Sequence, residues 1–248
     1  MELVGLKPKY LEDGTLYYAN KNFTSTDYYQ NTYMMSHFPK YWYFLTIGSR
    51  GRGKTFEGKQ YSIKFILGQL DEIPVDKRSS QLRKFMWWRL TNDAVEKVKE
   101  NSGRDFFETH LCEKYGIKVK TVNSDILFSL DSEIEIDEDG ETTRFWFPVG
   151  KIASIQEYYK YKGNQLEDFD LIIMDELVRA ASERRTFNIP SAFVNMIENV
   201  CRTRKGIRVL IFANAIGEMQ EVKQLFGFMP FPGKFGVYKL FHKRAMEY

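Results

Sequence analysis

Eight consecutive residues carry the most specific chemistry in the chain. Gly48-Ser49-Arg50-Gly51-Arg52-Gly53-Lys54-Thr55 fits the pattern G-x-x-x-x-G-K-[ST] without a mismatch. Glycines let a backbone curl until several N–H groups face one anion, and a following helix adds its positive N-terminal end. In such a loop Lys54 bridges the β- and γ-phosphates of a triphosphate, and the Thr55 hydroxyl ligates Mg2+. A random chain of this length and average composition would contain the pattern about once in a hundred cases. The second constellation is Leu171-Ile172-Ile173-Met174-Asp175-Glu176, four apolar residues ending in two carboxylates. At the tip of a parallel strand these acids would face the crevice where ligands bind. Asp175 would hold Mg2+ largely through its water shell, and Glu176 would polarise an attacking water as general base. Taken alone, the segment could equally be a strand ending in solvated acids. With the phosphate loop upstream it reads as the second half of a hydrolytic ATP site.

The elements around these residues have the right types to hold them. Tyr41 to Ile47 is a continuous aromatic and β-branched run, as a strand buried on both faces should be. Gly48 to Gly53 breaks it, and Lys54 to Leu70 carries Phe56, Tyr61, Phe65 and Ile66 at helical intervals. Phe85 to Trp88 is a further apolar strand closed by Arg89. Residues 94–100 and 104–115 read as helices, interrupted by Asn101-Ser102-Gly103. Ile126 to Leu130 is followed by the alternating Glu133 to Ile136, a turn at Asp139-Gly140 and a return through Arg144 to Phe147, which predicts a β-hairpin. Residues 169–174 and 207–213 are buried strands. Ser191 to Arg204 is a helix presenting Phe193, Met196, Ile197 and Val200 on one face, with Pro190 at its start. Strands alternating with helices predict a three-layer α/β P-loop domain with a mostly parallel central sheet and an inserted β-hairpin.

Composition bounds the rest. At 248 residues, 43% hydrophobic and 16% aromatic, the chain can build one large core. A net charge of +3 is too balanced to announce a polyanionic partner in bulk. Cys112 and Cys201 lack zinc spacing and read as reduced thiols, and the three histidines lie too far apart for a metal cluster or a Ser-His-Asp arrangement. No apolar run approaches the roughly 18 residues of a membrane span. The expected organisation is an irregular N-terminal arm (1–40), an ATPase domain (41–232) with a hairpin insertion (124–149), and a lead-out strand (233–248).

In order along the chain, five segments resemble the DNA-packaging ATPases of phi29-like bacteriophages, relatives of large terminases and FtsK/HerA-type pumps. They are Thr46 to Thr55, Phe85 to Arg89, Ile173 to Arg179, Asn199 to Arg204 and Phe212 to Ala215. The Arg202-Thr203-Arg204 helix end and the Asn214-Ala215 strand end are the most telling. The resemblance implies an additional-strand P-loop fold working as a homomeric ring, pentameric by resemblance, with ATP sites between subunits. It gives Arg202 the part of an arginine finger reaching a neighbour's γ-phosphate, while the residues themselves leave Arg202 and Arg204 as rival candidates. Either could simply satisfy a helix C-terminus, where cations are favourable. Asn214 matches a sensor that hydrogen-bonds the γ-phosphate or the water. Arg89 matches a basic residue often found at that strand tip, although Leu90, Thr91 and Asn92 follow where a second basic residue is common. Arg179 could orient Glu176 or act across the interface. A small nuclease-like module is expected to begin near residue 248.

The same resemblance implies double-stranded DNA, a viral portal or connector and possibly a packaging RNA as partners, in host cytoplasm at the procapsid vertex. Candidate cation clusters for DNA are Lys77-Arg78, Arg83-Lys84, Arg184-Arg185, Arg202–Lys205 and Lys239–Arg244, which would read phosphates and not bases. Another ring-forming DNA pump or a helicase would share most of these features. A nucleotide-binding assembly module would not need Glu176.

Overall fold

The computed structural model describes residues 6–10, 16–20, 35, 42–70, 82–100, 106–132, 134–136, 142–163, 166, 168–178, 187–202, 204, 206–214, 220–227 and 237–239. Arg179, Arg184, Arg185, Lys77 and Arg78 lie outside the described residues, as do the Asp139-Gly140 turn, Lys243 and Arg244.

In chain order the elements are β1 (Leu6–Tyr10), β2 (Leu16–Asn20), β3 (Tyr43–Gly48), α1 (Lys54–Ile66), β4 (Lys84–Arg89), α2 (Asn92–Glu100) and α3 (Thr109–Tyr115). They continue with β5 (Ile117–Val122), β6 (Asp125–Leu130), β7 (Ile134–Ile136), β8 (Thr142–Arg144), β9 (Phe147–Ser154) and a 3-10 helix (Ile155–Tyr161). The last are β10 (Phe169–Met174), α4 (Ile189–Cys201), β11 (Arg208–Asn214), α5 (Gln220–Phe226) and β12 (Val237–Lys239). Seven strands form the central sheet in the order β3-β11-β10-β4-β9-β6-β5. The first five are mutually parallel; β6 and β5 join antiparallel at one side.

Strand alternation explains the layers. On β4, Phe85 and Trp87 join one core while Met86 and Trp88 join the other. Leu210 and Phe212 likewise oppose Val209, Ile211 and Ala213 on β11. The first core receives α1, α2 and α3 through Ile63, Phe65, Ile66, Val95 and Leu111. The second receives α4 through Phe193, Met196 and Val200, and α5 through Val222. Period-two strands between amphipathic helices are thus buried on both faces, which is what makes their sequences almost wholly apolar. The helix α1 lies very close to the sheet. A Cβ added at Gly58 would sit 2.6 Å from Cε2 of Phe212.

Three expectations change. The opening stretch is not simply irregular: β1 and β2 pair antiparallel, and β12 adds to β2 in a separate three-stranded sheet. The predicted inserted hairpin is present as β7 paired with β8, but it is shorter than 124–149, because β6 and β9 are strands of the main sheet. Helix 104–115 shortens to α3. Phe106 and Phe107 are buried against Phe85, Trp87 and Phe128 instead of turning through a helix.

Candidate active site

Parallel pairing brings four strand tips to one edge. Gly48 at the end of β3 is in register with Asn214 at the end of β11, and Met174 of β10 is in register with Trp88 of β4. Arg89, Asp175 and Glu176 therefore follow directly at the same edge as the phosphate loop.

The loop turns through two left-handed glycines, Gly51 (φ 73) and Gly53 (φ 78), the second of which is the N-cap of α1. Lys54 begins the helix but is only 7% exposed, and its ammonium donates to the carbonyls of Gly48 (3.1 Å) and Ser49 (2.7 Å). Burial lowers its pKa, an effect that Asp175 and Glu176 oppose. Arg52 ties the loop internally by donating from Nε to the Ser49 hydroxyl at 3.2 Å. The Thr55 hydroxyl donates to Oδ1 of Asp175 at 3.0 Å. The lysine, hydroxyl and carboxylate read from sequence are thus drawn together across 120 residues.

Asp175 is 2% exposed. Burial pushes its carboxyl above the usual range and Glu176 adds to this, while Arg89 and Thr55 pull the other way. A buried carboxylate beside a threonine hydroxyl is a hard-oxygen pair of the kind Mg2+ takes together with substrate phosphates. These residues fit the metal that the fold implies.

Glu176 has a left-handed backbone, φ 63, which is costly for a residue with a Cβ. The cause lies on either side of it. The Asp175 amide donates to the Trp88 carbonyl on β4 (2.9 Å), and the Leu177 amide donates to the Phe212 carbonyl on β11 (2.9 Å). Held by two different strands, the intervening residue must reverse its path. This aims the side chain at the site, where Oε1 accepts from Asn214 at 3.4 Å and Oε2 accepts from Arg89. Strain of this kind concentrates at functional positions.

Arg89 lies beside both acids, with its side chain only 16% exposed. Its two terminal nitrogens donate to Asp175 and to Glu176 respectively, bridging both acids. A shallow pocket beside them is lined by Arg50, Arg89, Leu90, Thr91, Glu176 and Asn214. Sequence reasoning assigns Thr91 no role. Its hydroxyl accepts from the Ala94 amide at the start of α2, so a strand tip followed by a capping residue is the available signal.

The two C-terminal arginines of α4 separate clearly. Arg204 donates to the carbonyls of Val200, Phe169 and Leu166 and pairs with Asp170 at 3.0 Å. It fastens the helix end to the start of β10. Arg202 is exposed and adopts φ 46, ψ −120. Both stand at the opposite edge of the sheet from the phosphate loop, because β11 must run its seven residues, about 20 Å, before reaching Asn214. The structure does not bring Arg202 to this chain's own Lys54 and Glu176.

A larger cavity of about 420 Å3 opens at that opposite edge. Its lysines Lys84 and Lys151 are already paired with Asp168 and Asp125, leaving no surplus charge for a triphosphate. Burial pushes the Cys201 thiol up to about 11, which keeps it protonated near neutral pH. Among the described residues, no cluster of three His, Cys, Asp or Glu side chains could hold a metal, and no helix is long and apolar enough to cross a membrane.

A glycine loop entering a helix from a parallel strand, with two acids at the tip of another, defines a P-loop NTPase fold of the additional-strand type. Among solved structures, the N-terminal domain of the DNA packaging ATPase from bacteriophage phi29 matches with a TM-score of 0.57 at 18% identity, over 82% of this chain and 88% of that one. The Phi-28 gp11 DNA packaging motor matches at 0.58 and 15% identity, over 83% of this chain and 55% of that chain. The bacteriophage Phi-29 viral genome packaging motor assembly matches at 0.56 and 18% identity, over 82% and 52%. The chain thus spans just over half the length of the last two. No family model and no curated protein matches the sequence. The fold is that of phage DNA-packaging ATPase domains.

Proposed function

We propose that this chain is the ATPase domain of a viral DNA-packaging motor, hydrolysing ATP with Mg2+ to translocate double-stranded DNA. The observation that carries the reading is Glu176, forced into a left-handed backbone and aimed beside a buried Asp175 that is bonded to Thr55. A protein that only binds nucleotide has no use for a strained second acid.

Each residue then has a task. The loop from Gly48 to Gly53, including Ser49, Arg50, Gly51 and Arg52, cradles the phosphates with its amides. Lys54 leaves the Gly48 and Ser49 carbonyls for the β- and γ-phosphates, gaining charge partners that offset its burial. Thr55 and Asp175 hold Mg2+, which supplies charge neutralisation across the phosphates when bound. Glu176 accepts a proton from the attacking water, and Asn214, on its other oxygen, fixes where that carboxylate points. Arg89 supports the pair and faces the nucleotide.

Arg202 acts on a neighbouring subunit. It is exposed at the far edge of its own sheet, whereas the Arg204 guanidinium reaches inward to main-chain carbonyls, so we assign the finger to Arg202 and the fastening to Arg204. The motor is therefore a ring, pentameric by resemblance, seated at the portal vertex of a procapsid in the host cytoplasm, with the portal or connector as partner and a packaging RNA as a further candidate. Basic side chains facing its pore would grip DNA phosphates.

The test is phosphate release by Glu176→Gln with ATP binding measured in parallel. We expect turnover to fall at least about a hundredfold, within the usual range for losing a general base, while nucleotide still binds. Unchanged phosphate release would refute the mechanism and favour the assembly-module alternative.

A further inference from the structure

Both carboxylate oxygens of Asp175 are engaged. Oδ1 accepts from the Thr55 hydroxyl at 3.0 Å, and Oδ2 accepts from one terminal nitrogen of Arg89. The other terminal nitrogen of Arg89 serves Oε2 of Glu176. One planar guanidinium therefore spans two adjacent acids, a fork that a lysine cannot reproduce. Arg89 is well sheltered, with its side chain 16% exposed and its Nε buried without a hydrogen-bond partner. The two acids thus set its position through the terminal nitrogens.

The charges explain why something must stand there. Asp175 is 2% exposed, and the next residue is a second acid. A cation bridging two adjacent carboxylates offsets their mutual repulsion. A divalent ion held at the Asp175 carboxylate, directly or through its waters, would stand within a few ångströms of that guanidinium, and the two cations would repel strongly.

We propose that Arg89 is a latch on the metal site: its guanidinium and the divalent cation compete for the buried carboxylate of Asp175. Loading the metal requires Arg89 to let go of Asp175 while keeping Glu176. The freed nitrogen then turns into the shallow pocket that Arg89 lines with Arg50, Thr91 and Asn214, where a terminal phosphate can accept from it. Arg89 passes from counter-ion of the acids to counter-ion of the phosphates. Nucleotide thereby favours metal binding by offering the displaced arginine a new partner. The inference rests on Asp175 facing the metal, as in the proposed function, but it does not require hydrolysis.

The experiment is a titration of the purified chain with Mn2+, without nucleotide, following free Mn2+ by electron paramagnetic resonance. Removing a hydrogen-bonded charge from the buried oxygen should tighten Mn2+ binding in Arg89→Gln by about ten- to a hundredfold. Arg89→Lys, which can serve only one acid, should gain at least about threefold, and it decides the matter if Arg89→Gln does not fold. Adding Asp175→Asn to either variant should abolish the gain. Mn2+ affinity equal to the wild type in the folded Arg89 variants would overturn the latch, as would a gain that survives Asp175→Asn. A wild-type chain that hydrolyses no ATP would sink the proposed function while the Mn2+ series still decides the latch.

Discussion

Replacing Glu176 by glycine and, separately, by alanine measures what the site stores in its backbone. Both substitutions delete the same carboxylate, with its contacts to Arg89 and Asn214. That carboxylate is 44% exposed, so losing its ion pair costs under about 1 kcal/mol, and equally in both variants. What remains between them is φ 63. Alanine keeps the clash of a Cβ in the left-handed region, which costs about 1–2 kcal/mol, and glycine does not. Against this, glycine loses more chain entropy on folding, about 0.5–1 kcal/mol relative to alanine. The balance predicts Glu176→Gly to be the more stable of the two by up to about 1.5 kcal/mol, at about 2–4 °C in Tm per kcal/mol for a chain of this size. Thermal and urea unfolding by circular dichroism, without nucleotide, would measure it, and neither variant should release phosphate. An alanine variant more stable than the glycine variant would show that the flanking bonds from Asp175 to Trp88 and from Leu177 to Phe212 do not constrain Glu176. The account of the site's strain would then fall.

Gly58→Ala should destabilise the domain by about 1–3 kcal/mol in the same melts, although alanine is the better helix former. Its Cβ would meet the buried Phe212 ring at 2.6 Å, with Trp87 at 3.3 Å behind it. No measurable loss would mean that α1 can lift from the sheet without penalty. Arg204→Ala should lower stability by about 2 kcal/mol through its lost carbonyl bonds, whereas Arg202→Ala should leave the melt within about 0.5 kcal/mol of wild type. Arg202→Ala should nevertheless abolish turnover, and mixing it with Lys54→Ala subunits should restore some; no recovery at any ratio would count against an arginine supplied in trans.

The phosphate loop and the acidic pair were legible because each is local: a glycine pattern, and an apolar run ending in two acids. The order of layers was legible for the same reason. Arg89 was named only through the resemblance, and its partners were not legible, since a strand-ending arginine looks alike in sequence whether it faces water or two carboxylates. Only the register of β4 beside β10, far apart from it in sequence, puts Trp88 opposite Met174 and so Arg89 beside Asp175. The conformation of Glu176 was hidden likewise, being imposed by carbonyls on two other strands. β9 went unread as a strand for a different reason. Pro148 and Gly150 suggest a turn, yet Pro148 sits at a register shift against β6, where a missing N–H is tolerated. Gly150 is there because a Cβ would lie 2.4 Å from the Phe85 ring. The alternation in Ile117-Lys118-Val119-Lys120-Thr121-Val122 did announce β5, and the helical reading just before it obscured the signal.

The placement of Arg202 and the phosphate loop at opposite edges of one sheet gives the subunit a head and a tail. Joining copies by such a contact is heterologous, so nothing in one contact limits the number that can be added. On the proposed reading, an open row of subunits always ends in one copy whose loop no arginine completes, together with another whose arginine completes no site. Closure removes both defects at once. Activity per subunit would then rise towards that of the closed assembly as rows lengthen and step up on closure, so the catalytic output would itself report whether the circle is complete.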